Sequence, residues 1–318
     1  MENVFISGGA GFIGSECVRS IVSMPSVKCV VILDKLTYAG NLSRIEKELR
    51  TSKVNFINAD LLDANEYASA LRDADTLLHF AAESHVDRSI ENGLPFMKSN
   101  VLGTYVLLET ARANPDMKII HISTDEVYGS VSEGESLEDD LLIPSSSYSS
   151  SKASSDLVAL SQFHTHGQSI IVTRCCNNYG PWQDVEKVIP NFITQALQGI
   201  PMPIYGNGMN SREWIHVSDH VNAILMIIDV GVPGEIYNIG TGLRLTNLEL
   251  AEMIAAELGM KKDYYELVPD RLGHDFRYAL NSNKIRDLGW TPTINLKSGL
   301  ADTVSWYREQ ILARERLG

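Results

Sequence analysis

The sequence predicts an α/β fold: a doubly wound parallel sheet with a smaller, mixed α/β C-terminal domain. Three features predict it. Short apolar runs rich in β-branched residues recur through the first half of the chain, stretches of helical length separate them, and a glycine-rich turn follows the first run. Each run is apolar on both faces, as strands are when crossover helices cover both sides of a parallel sheet.

In chain order the expected strands are Val4–Ser7, Cys29–Leu33, Val54–Asn58, Thr76–Phe80, Ile119–Ser123 and Ile170–Thr173, with helices such as Ser15–Val22 and Thr104–Ala113 between them. Right-handed crossovers turn this alternation into a parallel sheet. After Tyr179-Gly180-Pro181 the chain is broken into shorter pieces by Pro190, Pro201, Pro203, Pro233, Pro269 and Pro292. We therefore expect one domain over residues 1–180 and a second mainly over 181–318. A segment near 214–240, in which Ile236–Ile239 reads as a strand, is expected to return to the first sheet. The serine run 145–151 resembles a linker, but the apolar pattern from Lys152 to Leu160 makes it a loop and helix start.

The chain has 318 residues, 44% hydrophobic and 21% charged, which is ample for a folded core. Its net charge, 27 − 40 = −13, argues against nucleic acid or an anionic membrane as partner. The four cysteines Cys17, Cys29, Cys175 and Cys176 have no metal spacing, nor do the eight histidines, so no metal is expected. The cysteines read as free thiols in apolar surroundings. With no leader-like start at Met1-Glu2-Asn3, the expected location is the cytoplasm. The apolar stretch Ala223–Ile228 is too short to span a bilayer.

Gly8-Gly9-Ala10-Gly11-Phe12-Ile13-Gly14 fits a phosphate-binding turn between strand and helix, where glycine permits the tight turn and the close approach of backbone to pyrophosphate. The amides opening the helix would face the phosphates. Asp34 ends the second strand, where a carboxylate binds an adenosine ribose; the same carboxylate repels a 2′-phosphate, so NAD is favoured over NADP. A helix cap or turn is the alternative for Asp34. Asp60 after the third strand is placed either to contact adenine or to cap the turn at Leu61.

Two further motifs carry chemistry. Tyr148 and Lys152 share one helix face, and an ammonium beside a phenol lowers its pKa towards that of a usable base. Thr124-Asp125-Glu126 follows the fifth strand, at the edge of a parallel sheet where ligands bind. Two adjacent carboxylates in a dry cleft split their pKa values into one acid and one base. A capping pair at a helix start is the alternative.

With Asp34–Asn41, His79–Ser89, Thr124–Gly129, Tyr148–Lys152, Asn177–Pro181 and Asp270–Asp275, the chain resembles the extended short-chain dehydrogenase/reductases, a Rossmann-fold superfamily, and within them the nucleotide-sugar 4,6-dehydratases, above all those acting on dTDP-glucose. The resemblance runs nearly end to end and implies a lyase. Tyr148, helped by Lys152, would take the C4 hydroxyl proton as hydride passes to NAD. Glu126 would then remove the C5 proton and Asp125 protonate the departing C6 hydroxyl, before hydride returns to C6. Thr124 would hold the sugar hydroxyl.

The resemblance also implies NAD contacts at Gly8, Gly11, Phe12, Ile13, Gly14, Asp34, Lys35, Leu36, Thr37, Asp60, Leu61, Phe80, Ala81, Ala82, Ser84, Ser99, Tyr148, Lys152 and Asn178. Substrate contacts are implied at Ser84, Thr124, Asn177, Glu186, Lys187, Arg212, Asn247, Arg271 and His274, with Lys187, Arg212 and Arg271 meeting a diphosphate. Homodimers joined through helices near Ser99–Ala113 and Tyr148–Phe163 are implied too. Asp184-Val185, Leu272 and Ser147 stand where the family frequently has Phe-Pro, Pro and Pro. The alternatives are an NAD-dependent nucleotide-sugar 4-epimerase, a UDP-glucuronate decarboxylase, or UDP-glucose as the dehydratase substrate.

Overall fold

The computed structural model describes residues 1–315, so residues 316–318 of the expected second domain lie outside the described residues. Its strands are β1 (Asn3–Ser7), β2 (Cys29–Leu33), β3 (Val54–Ile57), β4 (Thr76–His79), β5 (Lys118–Thr124) and β6 (Ser169–Cys175), then β7 (Asn177–Tyr179), β8 (Met202–Tyr205), β9 (Ser211–His216), β10 (Ile236–Ile239), β11 (Arg244–Thr246) and β12 (Tyr265–Val268). Seven of them form one parallel sheet in the order β10-β6-β5-β4-β1-β2-β3. The order reverses between β1 and β4, which opens a crevice at the carboxyl ends of the strands.

The uniform apolarity of the runs follows from this layering. Successive side chains of a strand point to opposite faces. Ile6, Ile32, Leu78 and Ile120 pack on one side with Val18, Ile21, Val221 and Ile224, all fully buried. Phe5, Val31, Leu77 and Ile119 pack on the other with Leu71, Leu107 and Leu108. Each such side chain contributes about 1.5–3 kcal/mol of burial.

Beyond Tyr179, a third core gathers Ile189, Phe192, Ile204, Trp214, Leu250, Ile254 and Leu300. Two small sheets accompany it, β11-β9-β7 and β12-β8. Within the segment expected to return to the main sheet, β10 pairs with β6, and the helix Val217–Val230 packs on the helix Phe12–Val22. Trp214–His216 does not return: it lies in β9, held by β7 and β11.

One irregularity reaches the crevice. The helix expected at Thr104–Ala113 starts earlier, at Leu94, and contains a π-helical stretch, Met97–Gly103, before its α-helical part, Thr104–Ala111. Such wide turns recur at functional sites. Here the stretch carries buried Asn100, whose Oδ1 accepts from the Glu83 amide at 2.7 Å and whose Nδ2 donates to Ser151 Oγ at 2.8 Å. The loop after β4 is thereby tied to the helix Ser147–His166.

Candidate active site

The glycine turn behaves as its composition requires. Gly8 has φ +75°, and a Cβ there would lie 2.5 Å from the Ala81 amide nitrogen. A Cβ at Gly14 would lie 2.2 Å from the Gly8 carbonyl oxygen, so this glycine lets helix and strand touch. The helix that follows is capped by Gly11 with no side chain bonded to its amides and no acidic residue in its first turn. Its positive end is open to an anion.

Cavities lie on both sides of this turn and share Gly8, Gly11, Ala39, Phe80 and Ala82 in their walls. One is lined by Asp34, Lys35, Thr37, Asp60, Leu61, Ala81 and Ser99. The other is lined by Phe12, Ile13, Gly14, Ser84, Thr124, Glu126, Tyr148, Lys152, Asn177, Asn178 and Lys187. Two cavities that share walls at an uncapped helix end fit a dinucleotide with its pyrophosphate at the glycines. Asp34 Oδ2 accepts from the Ala10 amide at 2.9 Å and Oδ1 from the Leu36 amide at 2.8 Å. Burial pushes the Asp34 carboxyl up, while these amides and Arg44 oppose it. Leu36 lines neither cavity; its φ of +55° serves to turn its amide back onto Asp34. Lys35 Nζ pairs with Asp60 Oδ2 at 2.5 Å across the mouth.

The catalytic candidates converge at the end of β5. A capping box, Ser146 with Ser149, starts the helix Ser147–His166, so the serine run is the start of a helix. One face of that helix presents Tyr148 and Lys152, both nearly buried. Lys152 Nζ donates to the Ile122 carbonyl oxygen at 2.8 Å, and burial pulls its pKa down to about 8. The lowering of the Tyr148 pKa that the spacing with Lys152 led us to expect does not prevail. Burial, and then Glu126, hold the phenol well above its usual range, with Thr124 pulling the other way.

The two carboxylates sit in different surroundings. Asp125 is 2% exposed, its Oδ1 accepts from Thr124 Oγ1 at 3.1 Å, and its Oδ2 has no partner among the described residues. Burial, then Glu126, push it well above the carboxylate range. Burial raises Glu126 as well, but Lys187, Arg271 and Arg212 pull it back. Both carboxyls are thus raised, Asp125 well above the usual range, and at Glu126 three cations work against the rise.

The substrate-side candidates fall into two groups. Ser84, Thr124, Asn177 and Lys187 line the cleft, and Lys187 Nζ donates to the Ser84 carbonyl oxygen at 2.7 Å. Arg212, Asn247, Arg271, His274 and Glu186 stand outside its wall. Arg212 is stacked 4.2 Å over Tyr278 and donates to the Asp275 carbonyl oxygen at 2.7 Å. Arg271 pairs with Asp87 at 3.2 Å, His274 with Asp270 at 2.6 Å, and Asn247 is buried at a helix start. Glu186 is bound on the surface by Arg88, whose guanidinium lies over Tyr38.

Residues 5–303 match the family described as GDP-mannose 4,6 dehydratase. The chain belongs to this family. Among relatives of the GDP-mannose 4,6 dehydratase family, a dTDP-glucose 4,6-dehydratase of Streptomyces niveus is 46% identical over 311 residues, covering 96% of this chain and 93% of the relative. A crystal structure of dTDP-glucose 4,6-dehydratase from Streptomyces venezuelae, with NAD and TYD bound, superposes with TM-score 0.93 at 46% identity, covering 96% of this chain and 97% of that one. A UDP-glucuronic acid 4-epimerase of Bacillus cereus, with UDP-glucuronic acid and NAD, shares the fold at TM-score 0.92, covering 98% of this chain and 100% of that one, but at 25% identity.

Several wall residues of this dehydratase-family cleft were not singled out from the sequence: Arg44, His85, Asp184, Cys175, Cys176 and His220. Asp184 Oδ1 sits 3.6 Å from His85 Nε2, and that contact holds the Asp184 carboxyl below its usual range. Asp184 had a sequence signal, since it stands where the family frequently has an uncharged residue. The cysteines are free, and three of them are buried. Cys17, Cys175 and Cys176 are all embedded in the apolar core, and Cys175 and Cys176 also reach the wall of the cleft.

Proposed function

We propose that this chain dehydrates a nucleoside-diphosphate glucose, dTDP-glucose in particular, to the 4-keto-6-deoxy sugar. The observation that carries the reading is the Asp125–Glu126 pair, with its divided electrostatics, beside Tyr148 and Lys152 at the cleft. Gly11, Asp34, Asp60 and Asn178 would hold NAD across the glycine turn. Bound NAD supplies a hydride acceptor for C4 and a donor for C6, so no external reductant is consumed. Tyr148 takes the C4 hydroxyl proton, and Lys152 steadies the phenolate that results. The C4 ketone acidifies the C5 hydrogen, which Glu126 removes, and C5 is reprotonated when hydride returns to C6. Asp125, kept protonated by burial, gives its proton to the leaving C6 hydroxyl. Lys187, Arg212 and Arg271 offset the charge of Glu126 and of the diphosphate.

Incubation with dTDP-glucose is expected to give a product lighter by one water without added NADH. A product of unchanged mass would instead establish an epimerase. UDP-glucose as a parallel substrate decides the nucleotide.

The reading extends to the whole chain as a cytoplasmic homodimer. Leu102, Tyr105 and Leu157, on two helices packed against each other, are between 46% and 60% exposed, which supports burial against a second copy. Residues 1–180 with β10 serve the cofactor, and the remainder from 181 onward serves the nucleotide sugar.

A further inference from the structure

The short turn Leu42–Ile45 is docked on the glycine turn. The Asn41 amide donates to the Ala10 carbonyl oxygen at 3.0 Å, and Arg44 Nη1 donates to the same oxygen at 3.0 Å. Arg44 Nη1 also donates to the Ala39 carbonyl oxygen, and Nε to the Trp182 carbonyl oxygen at 3.0 Å. Trp182 has φ +72°, a rare conformation for a bulky residue, in the loop that brings Asp184 and Lys187 to the cleft wall. One guanidinium thus joins the glycine turn, the loop after β2 and the loop after β7. Arg44 is 8% exposed, yet it forms no ion pair among the described residues. Its side-chain bonds all end on carbonyl oxygens, and Nη2 bonds no group among the described residues.

A buried cation without a counter-charge is costly. Burial pulls the Arg44 guanidinium down, against Asp184, Tyr307 and Asp34, while Arg19 adds to the fall. Both nearby carboxylates are engaged elsewhere. Asp34 is bonded by the Ala10 and Leu36 amides, and Asp184 Oδ1 by the Glu186 amide at 2.9 Å. Arg44 shares the cavity wall with Gly11, Phe12 and Ile13, at the uncapped start of the helix Phe12–Val22. That helix end amounts to roughly half a positive charge, and it repels Arg44 until an anion lies against both. We propose that Arg44 is a counter-charge for the pyrophosphate of the bound dinucleotide. The proposal rests on the reading of this cleft as the NAD site.

Both phosphates of a dinucleotide are negatively charged, and a helix end alone does not balance them. Nη2 is the donor left to meet a phosphate oxygen, in a charge-assisted bond. The carbonyl oxygens of Ala10, Ala39 and Trp182 hold the guanidinium in place beforehand, so little side-chain freedom is lost on binding. Asp184, on the same wall, opposes the anion, and Arg44 is the cation that offsets it there. A purely structural role, in which Arg44 only ties three segments together through their carbonyls, would require its N–H donors but not its charge.

The test uses the whole protein depleted of bound NAD. NADH binding is followed by fluorescence, and ADP and adenosine, alike but for the diphosphate, compete against it. Arg44→Met is expected to weaken NADH and ADP at least roughly tenfold and to leave adenosine nearly unchanged. Arg44→Gln keeps a donor for a carbonyl but no charge, and should lose as much; it also serves if Arg44→Met does not fold. Arg44→Lys keeps the charge and should bind ADP several-fold more tightly than Arg44→Gln. Unchanged NADH affinity in Arg44→Gln, equal losses for ADP and adenosine, or Arg44→Lys no better than Arg44→Gln would each overturn the proposal. Wild-type protein that takes up no NADH would overturn the reading of the cleft along with it, whereas wild-type binding that the variants match would overturn this proposal alone. Dehydration is not among these readouts, so an inactive protein that binds NADH would sink the proposed activity and leave this result standing.

Discussion

Asp125 and Glu126 are chain neighbours in opposite electrostatic company. Burial and then Glu126 push Asp125 up, whereas at Glu126 Lys187, Arg271 and Arg212 work against the rise that burial causes. Glu126→Gln is therefore expected to stop exchange of the C5 hydrogen with solvent, and to lower turnover by about 10²-fold or more, while C4 oxidation still proceeds and leaves reduced cofactor on the protein. Exchange at the normal rate would remove Glu126 from the base role. Lys152 sets the alkaline side. Its ammonium is discharged above about pH 8, so C4 oxidation is expected to fall through that value. Stability moves the other way. Between about 8 and the ordinary 10.5 the unfolded chain holds the proton that the folded chain has lost, so stability should rise with pH in that window. Urea melts of the wild type against Lys152→Met check the sign. The Thr-Asp-Glu and Tyr-x-x-x-Lys motifs were legible from spacing alone. Which carboxylate keeps its proton was supported only by resemblance, because the cations that decide it come from distant parts of the chain.

At the scale of elements, the helix Ser147–His166 does two jobs. Its crevice end carries Tyr148 and Lys152, and one turn further on Asp156 is fully buried. Asp156 Oδ2 accepts from Arg174 Nε at 2.9 Å, and Oδ1 lies 3.3 Å from His121 Nε2. Arg174 in turn donates to Tyr128 OH at 2.8 Å, and Tyr128 to Asn238 Oδ1 at 2.8 Å, so the helix is fastened through polar groups to β5, β6 and β10. Asp156→Asn leaves a buried guanidinium without its counter-charge. A loss of about 3–5 kcal/mol in denaturant unfolding is expected; a loss within experimental error would mean that the network is solvated. None of this polar chain was legible in the sequence, where His121 sits inside one strand-like run and Arg174 just past the end of another. Strand and helix identities were legible, because local periodicity controls them. The π-helical stretch Met97–Gly103 was not, because an extra residue in a helical turn leaves no mark on composition.

Across the whole molecule, the exposed apolar side chains Leu102, Tyr105 and Leu157 set the assembly test. Leu157→Arg is expected to halve the solution mass measured by light scattering, and an unchanged mass would move the interface elsewhere. The crevice at the sheet's carboxyl edge exists because strands far apart in sequence, β1, β4, β5 and β6, end side by side. By itself the sequence determined the layered α/β architecture, the glycine turn and the identity of the reactive side chains. These follow from apolar periodicity, from glycine's lack of a Cβ and from residue types at short, fixed spacings. Only the tertiary structure decided which groups meet: Glu186 with Arg88 on the surface, three cations acting on Glu126, and Asn178 with both Cys175 and His220. Charge and proton affinity depend on distances through space, and those distances are set by packing between segments tens of residues apart.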